Sequence, residues 1–288
     1  MLKIAAVFHH ENLLSETPAD LRAELQVLTG QAFRRINRFI ELAIFGALQC
    51  GRSAGGVGPD TAMYLASEAP MLVDCVRALR GVVAEGRPPK PFEFMNISGN
   101  MAGFYIAQHL RMNGPQLAIH RKGAALEAVC ELLRLSSAHH RRALLGYVEE
   151  GVWPLTEQRV RLNLATDAPI LECSHWFYFD ADCARPKALL EVAPRCANLD
   201  EAANVLRKIP SGWRVVAGHG CSREDIERLV SSGIAATGLP AKRPYSTGET
   251  AGLLATFVER PDAPGLAHLS RGGDGGYYPV LVSAGVAA

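Results

Sequence analysis

The stretch 116-QLAIHRKGAALEAV-129 constrains this chain more than any other. It reads as a short apolar strand, a Lys-Gly turn and the first turns of an amphipathic helix. A sharp strand-to-helix turn is where several enzyme folds seat a nucleophile, because the helix N-terminus favours developing negative charge and lowers a thiol's pKa. Between His120 and Leu126 there is no Cys, Ser or Thr. The pedestal for a nucleophile is present and the nucleophile is not.

Strand and helix signals alternate on either side of this stretch. Phe33, Ile36, Ile40, Ala43, Ile44 and Ala47 keep helical spacing, with Gly51 where a C-terminal cap belongs. Further helices are expected at 17–28, 59–84, 96–112 and 199–208, after Gly220 and near Thr247. Strands are expected at 2–8, 142–148, 170–179 and 213–218 and after the glycine turn 272-GGDGG-276, with 92-FEFMN-96 a loop or short strand. This alternation predicts an α/β architecture around a largely buried sheet. No linker cuts the chain and no internal repeat is evident, so residues 1–288 are expected to form one domain.

A formal net charge of +1 over 288 residues gives no electrostatic reason to bind nucleic acid or an anionic membrane. No apolar run reaches the roughly 18 residues of a membrane span, and the N-terminus lacks a signal peptide's long apolar region. A cytoplasmic location is the expectation. Seven scattered cysteines without a CxxC pair read as reduced thiols. The His pairs at 9–10 and 139–140 have no carboxylate or thiol at ligand spacing, so neither metal nor cofactor is expected.

Two literal motifs fail on context. In 51-GRSAG-55 the serine elbow G-x-S-x-G needs a strand before Ser53, and a helix precedes it. The glycines of 272-GGDGG-276 lead into a strand rather than a helix, which rules out a phosphate loop.

Three further stretches belong together: 96-NISGNMAGFYIAQHLRMNGPQLAIHRKGAALEAV-129, 215-VVAGHGCSREDIERL-229, and 244-PYSTGETAGLLATF-257 with 272-GGDGGYYPVLVSA-284. In order and internal spacing they resemble the β-ketoacyl synthase family of the thiolase superfamily. That family shows an Asn-x-x-x-Asn helix, a Gly-Pro, an apolar strand and a catalytic Cys opening a helix. His-Gly-Thr, Gly-His-Thr-x-Gly and Gly-Phe-Gly-Gly follow. The helix 34-RRINRFIELAIFGAL-48 is similar to the family's Arg-Arg-x-x-Arg-Phe helix. The resemblance spans roughly two thirds of the chain. It implies a thiolase-like layered α/β/α/β/α fold, shortened between about 140 and 215.

The family's cysteine accepts an acyl group from an acyl carrier protein, and two histidines assist decarboxylation and stabilise the enolate and oxyanion. Carried over residue by residue, the cysteine position falls on Gly123, with Lys122 the other candidate because one residue is missing just after it. The first histidine matches His219, followed by Gly220 and then Cys221 in place of Thr; the second is replaced by Glu249. A carboxylate there repels an enolate unless it is protonated, so condensation by this chain alone is not expected.

The resemblance therefore implies a chain length factor: a non-catalytic partner that heterodimerises with an active ketosynthase subunit and shapes its acyl tunnel. The short subunits of aryl-polyene and type II polyketide systems are the most similar, and an acyl carrier protein meets such a subunit through the complex. The strand Gln116, Leu117, Ala118, Ile119, His120 is expected to pair across the dimer axis. Phe94, Met95, Met101, Phe104 and Tyr105 are expected beside it, reaching toward the partner's tunnel. The alternative is an altered enzyme of the same fold that uses His219 without a Cys nucleophile, such as a malonyl-carrier decarboxylase.

Overall fold

The computed structural model describes residues 1–14, 20–218, 220–239 and 244–285. In chain order the described elements begin with β1 (Leu2–Leu13), α1 (Arg22–Thr29), α2 (Arg38–Ser53), β2 (Ala62–Ser67), α3 (Leu72–Glu85), α4 (Pro91–Asn96) and α5 (Met101–Leu110). Next come β3 (Gln116–His120), α6 (Ala125–Ser136), β4 (Arg142–Glu149), α7 (Leu155–Arg161), β5 (Leu171–Asp180) and β6 (Ala188–Val192). The chain continues with α8 (Leu199–Leu206), β7 (Arg214–Ala217), α9 (Arg223–Ser231), β8 (Ala236–Gly238), α10 (Glu249–Glu259), β9 (Gly265–Arg271) and β10 (Tyr277–Ala284).

The strands lie in the order β3-β2-β4-β5-β1-β6-β10-β9-β7-β8. Its first five members and its last five, read from the outer edges inward, repeat one topology. In the first half β2 runs parallel to β3 and β4, while β5 is antiparallel to β4 and β1. In the second, β7 runs parallel to β8 and β9, while β10 is antiparallel to β9 and β6. The halves join where Leu2–Ile4 of β1 pair antiparallel with Ala188–Leu190 of β6.

Alternation along the strands builds the layers, because successive side chains point to opposite faces. On β2, Ala62, Tyr64 and Ala66 face one core while Met63 and Leu65 face another. On β9, Leu266 joins that first core and Ala267 and Leu269 join a third. The shared core contains α6 and α10, which both pack against strands of both halves. The second core lies under α2 and the third under α8 and α9. Helix, sheet, paired central helices, sheet, helix: this is the layered α/β fold expected.

The outer core of the first half closes on Trp176, which is fully buried. Its indole N–H donates to Ser174 Oγ at 2.9 Å, and that hydroxyl donates to Leu42 O of α2 at 2.7 Å. Gly46 on α2 and Gly146 on β4 leave room for the ring; a Cβ at either would collide with it.

Several expectations need correction. Residues 59–84 are not one helix: β2 is a strand, and only α3 is helical. Every residue of β2 is buried, so neither face carries the polar positions from which periodicity is read. The segment 92–96 is helical, with Pro91 at the first helical position, where its missing N–H costs nothing. Gly51 does not cap α2; the helix runs on to Ser53, and Gly51 is buried where a Cβ would stand 3.0 Å from Leu110. β6, β8, β9 and α7 were not anticipated, and part of the helix expected at 17–28 lies outside the described residues.

Candidate functional site

β3 ends at His120, and two consecutive left-handed residues, Gly123 (φ 69°) and Ala124 (φ 52°), turn the chain into α6. A left-handed alanine costs roughly 1–2 kcal/mol, so this elbow is built against local preference. Gly123 N donates to Glu68 Oε1 at 2.9 Å, tying the turn to the residue just after β2. Ala124 supplies no side-chain cap, so the first N–H groups of α6 lack one.

The elbow forms one wall of a cavity of about 300 Å³. Lys122 to Glu127, Glu249 and Thr250 at the start of α10, and Ser270 to Gly273 at and just after the end of β9 all line it. Three separate sequence predictions thus converge on one place: the cysteine position Gly123, the second-histidine position Glu249 and the terminal glycine turn. Gly220 also lines the cavity, while its neighbour His219 lies outside the described residues.

The cavity is rich in carboxylates. Glu68, Glu127 and Glu249 line it, with Glu127 3% and Glu249 2% exposed. Burial holds Glu68 above the ordinary carboxylate range. Glu127 Oε1 accepts hydrogen bonds from Ser270 Oγ and, at 3.1 Å, from Thr250 Oγ1. Glu249 Oε1 stands 3.7 Å from Nε2 of the fully buried His268. An adjoining cavity of about 330 Å³ shares Glu68, Lys122 and Thr247 and includes Glu149. Glu149 accepts from Ser67 Oγ at 3.0 Å and from the backbone of Glu68 and Ala69 at 2.9 Å each, and burial lifts it to about 7.

At the positions to which the resemblance carries a thiol and a second imidazole, the cavity presents Gly123 and Glu249. Cys221 does not substitute for the missing thiol. Burial pushes it up to about 12, and its Sγ faces Leu269 O at 3.4 Å. Ser53 is exposed in the last turn of α2, far from any strand-to-helix elbow. Glu68, Glu127, Thr250, His268 and Ser270 were not singled out in the sequence. The available signal was Glu127, a charge inside the apolar run AALEAVC at a position whose helical phase is buried.

The predicted interface strand lies at one end of the sheet, paired with β2 on one side and with no described strand on the other. Gln116, Leu117 and His120 are exposed; Ala118 and Ile119 are half-buried. On α5, which packs against β3, Phe104 is 57% exposed; on α4, Phe94 is 63% and Met95 40% exposed. Met101 and Tyr105 instead turn inward, half-buried against the outer core, and the Tyr105 ring meets Phe33 at 6.1 Å. Among the described residues no group of three or more His, Cys, Asp or Glu could hold a metal ion, and no helix is long and apolar enough to cross a membrane.

No family model matches the chain, and no curated protein sequence matches it. Solved structures do. The ishigamide ketosynthase/chain length factor superposes with a TM-score of 0.66 at 15% identity, covering 90% of this chain and 84% of its own. The module 1 ketosynthase of the bacillaene synthase from Bacillus amyloliquefaciens FZB42 reaches 0.69 at 11% identity, covering 100% and 73%. A structure from Xenorhabdus doucetiae, a ketosynthase in complex with its chain length factor, reaches 0.53 at 9% identity, covering 97% and 99%. The chain has the thiolase-like fold of the ketosynthases and of their complexes with chain length factors.

Proposed function

We propose that this chain is the non-condensing partner of an active β-ketoacyl synthase, a chain length factor that docks through β3 and closes the far end of the partner's acyl tunnel. One observation carries the reading. A strained elbow is retained without a nucleophile, and it continues directly from an edge strand whose outer side is open. Loss of a thiol leaves strand pairing intact, whereas loss of the strand removes the hydrogen bonds by which an edge recruits another chain.

The exposed apolar side chains around β3 support the same reading. Buried aromatic anchors dominate interface energies, and Phe94 on α4 and Phe104 on α5, the helix packed against β3, are large and exposed. With Met95 they are the residues we assign to the tunnel; Met101 and Tyr105 serve their own core. In this reading the chain acts as a single domain in the cytoplasm, in polyketide, polyene or fatty-acid-type biosynthesis, and meets an acyl carrier protein through the complex. The alternative is decarboxylation of a malonyl group by His219, next in sequence to Gly220 of the cavity that Glu68, Glu127 and Glu249 line together with Lys122 and Arg271.

The test is a tagged pull-down from the native cell with the stoichiometry of what co-elutes. A 1:1 complex with a longer ketosynthase carrying an intact Cys-His-His set is the expected result, and a homodimer with no such protein bound overturns the reading. Within the complex, alanine at Phe94, Met95 or Phe104 lengthens the product; unchanged products from all three remove the tunnel assignment.

A further inference from the structure

Condensation needs a nucleophile at the elbow, yet the cavity contains a nucleophilic group elsewhere. Ser270, near the end of β9, is 5% exposed and lines the cavity. Its hydroxyl donates to Glu127 Oε1 in direct contact. Thr250 Oγ1 donates to the same carboxylate oxygen at 3.1 Å and stands 3.2 Å from Ser270 Oγ. His268 Nδ1 lies 3.3 Å from Ser270 Oγ, and on the far side of the imidazole Nε2 lies 3.7 Å from Glu249 Oε1. A buried hydroxyl thus touches one carboxylate and faces an imidazole flanked by another.

Glu127 belongs to the first turn of α6, so its contact places the Ser270 hydroxyl beside that turn. The first backbone N–H groups of a helix have no intrahelical acceptor, and Ala124 supplies no side-chain cap here. Nucleophile, base within hydrogen-bond reach and N–H donors at a helix N-terminus are the parts an acyl-transfer site requires. They are assembled here from α6, α10 and β9, without the cysteine position.

We propose that Ser270 is the nucleophile of an acyl hydrolase in this cavity, with Glu127 as its base and uncharged short-chain acyl esters or thioesters as substrates. Ser270 Oγ attacks the acyl carbon and its proton passes to Glu127. The tetrahedral adduct collapses, the bond to the leaving thiol or alcohol breaks, and that group takes the proton back from Glu127. Water then attacks the acyl-serine ester and gives a proton to Glu127; the adduct collapses, the bond to Ser270 Oγ breaks, Ser270 Oγ takes that proton back from Glu127, and the carboxylic acid leaves. His268, backed by Glu249, is a positioning residue that holds the serine rotamer. Ala124, Ala125, Leu126 and Ala251 line a space of about 300 Å³, enough for a short acyl group. Glu127, in contact with Ser270, disfavours an acyl group that carries its own carboxylate at that point, while Lys122 and Arg271 line the same cavity beside Glu68 and Glu249.

This activity is separate from the docking face, so either can fail while the other stands. The full chain is treated with a fluorophosphonate, and the adduct is mapped by peptide mass spectrometry. Hydrolysis of p-nitrophenyl acetate, butyrate and hemisuccinate is followed in parallel. An adduct on the Ser270 peptide is expected, with acetate and butyrate turned over at least tenfold faster than hemisuccinate. Ser270→Ala removes both adduct and hydrolysis, and Glu127→Gln lowers hydrolysis by roughly 10²-fold or more. No adduct, an adduct on another residue such as Ser53, or hydrolysis unchanged in Ser270→Ala overturns the proposal; equal turnover of hemisuccinate overturns the substrate class. Should Ser270→Ala fail to fold by circular dichroism, the near-isosteric Ser270→Cys decides: its thiol takes up iodoacetamide if the position is reachable, and stays unlabelled if it is not.

Discussion

The two halves of the molecule share one strand order, yet they treat their outer edges in opposite ways. β8, the edge of the second half, is three residues long and ends in the exposed Thr237 and Gly238. A short polar edge is the common defence against unwanted pairing. β3, its counterpart, has five residues, an exposed leucine and exposed aromatic neighbours. The connections differ in the same sense: β7 reaches β8 through α9 alone, whereas β2 reaches β3 through α3, α4 and α5, which carry Phe94 and Phe104. From one topology, the described edges come out short and polar in one half and longer, with an exposed leucine, in the other.

The largest expected effect tests whether the halves are one folding unit. Trp176→Ala removes the ring that closes the first half's outer core, and large-to-small changes of this kind cost about 3–5 kcal/mol. Because α6 and α10 are shared by both halves, chemical denaturation should shift as a single transition. Two separate midpoints by fluorescence and circular dichroism would show that the second half stands without the first.

Buried acids divide the halves next. β4 ends in Glu149, with Glu150 just after it, where its counterpart β9 ends in Ser270 and Arg271. Burial raises Glu149 to about 7 and Glu150 to about 8, with Asp74 and Glu149 adding to the latter. A carboxyl whose folded pKa lies above its unfolded value near 4.5 contributes stability at low pH and loses it as pH climbs from about 4.5 to about 8. Thermal midpoints should therefore fall over that window. Glu150→Gln keeps an oxygen for Phe39 N, now 3.1 Å from the carboxylate, and should flatten the fall, making the variant more stable than the parent at pH 9 by a few kcal/mol at most. Identical pH profiles would show that Glu150 stays ionised.

The edges come third. If the proposed docking face is right, Phe104→Ala should weaken binding to the proposed ketosynthase partner by about 2 kcal/mol, roughly 30-fold in Kd by calorimetry, as for an aromatic anchor. Thr237→Ala at the opposite edge should leave Kd unchanged. Equal effects at both edges would erase the contrast on which the docking assignment rests.

How much of this was readable from the sequence follows the same division between local and non-local causes. β3 and α6 were legible because Gly114-Pro115 fixes the start and Ala125, Leu126, Val129, Cys130 and Leu133 keep helical spacing. β2 was hidden by burial on both faces, β8 by its length, and α7 by a polar seven-residue sequence. The repeat of topology left no trace because hydrophobic alternation survives almost any exchange of apolar residues. Within the site, Gly123 and Glu249 were reached through motif order. Glu68, Glu127 and Ser270 were not, because only the packing of the segment after β2, of α6 and of β9 around one cavity brings them together.

The smallest effect concerns the elbow itself. α6 begins after a left-handed Ala124, while α10 begins after Gly248 at φ −83°, where nothing is strained. Ala124→Gly removes a conformational penalty of roughly 1–2 kcal/mol in the folded state and adds about 0.5–1 kcal/mol of backbone entropy to the unfolded one. The balance predicts a slight rise in stability, about 1–2 °C in the thermal midpoint of a chain this size. Gly248 at the mouth of α10 meets a different need: a Cβ there would collide with Cys173 Sγ. A fall in midpoint would mean that the Ala124 methyl packs more favourably than its backbone is strained, and the elbow would then be a packed joint rather than a preserved nucleophile turn.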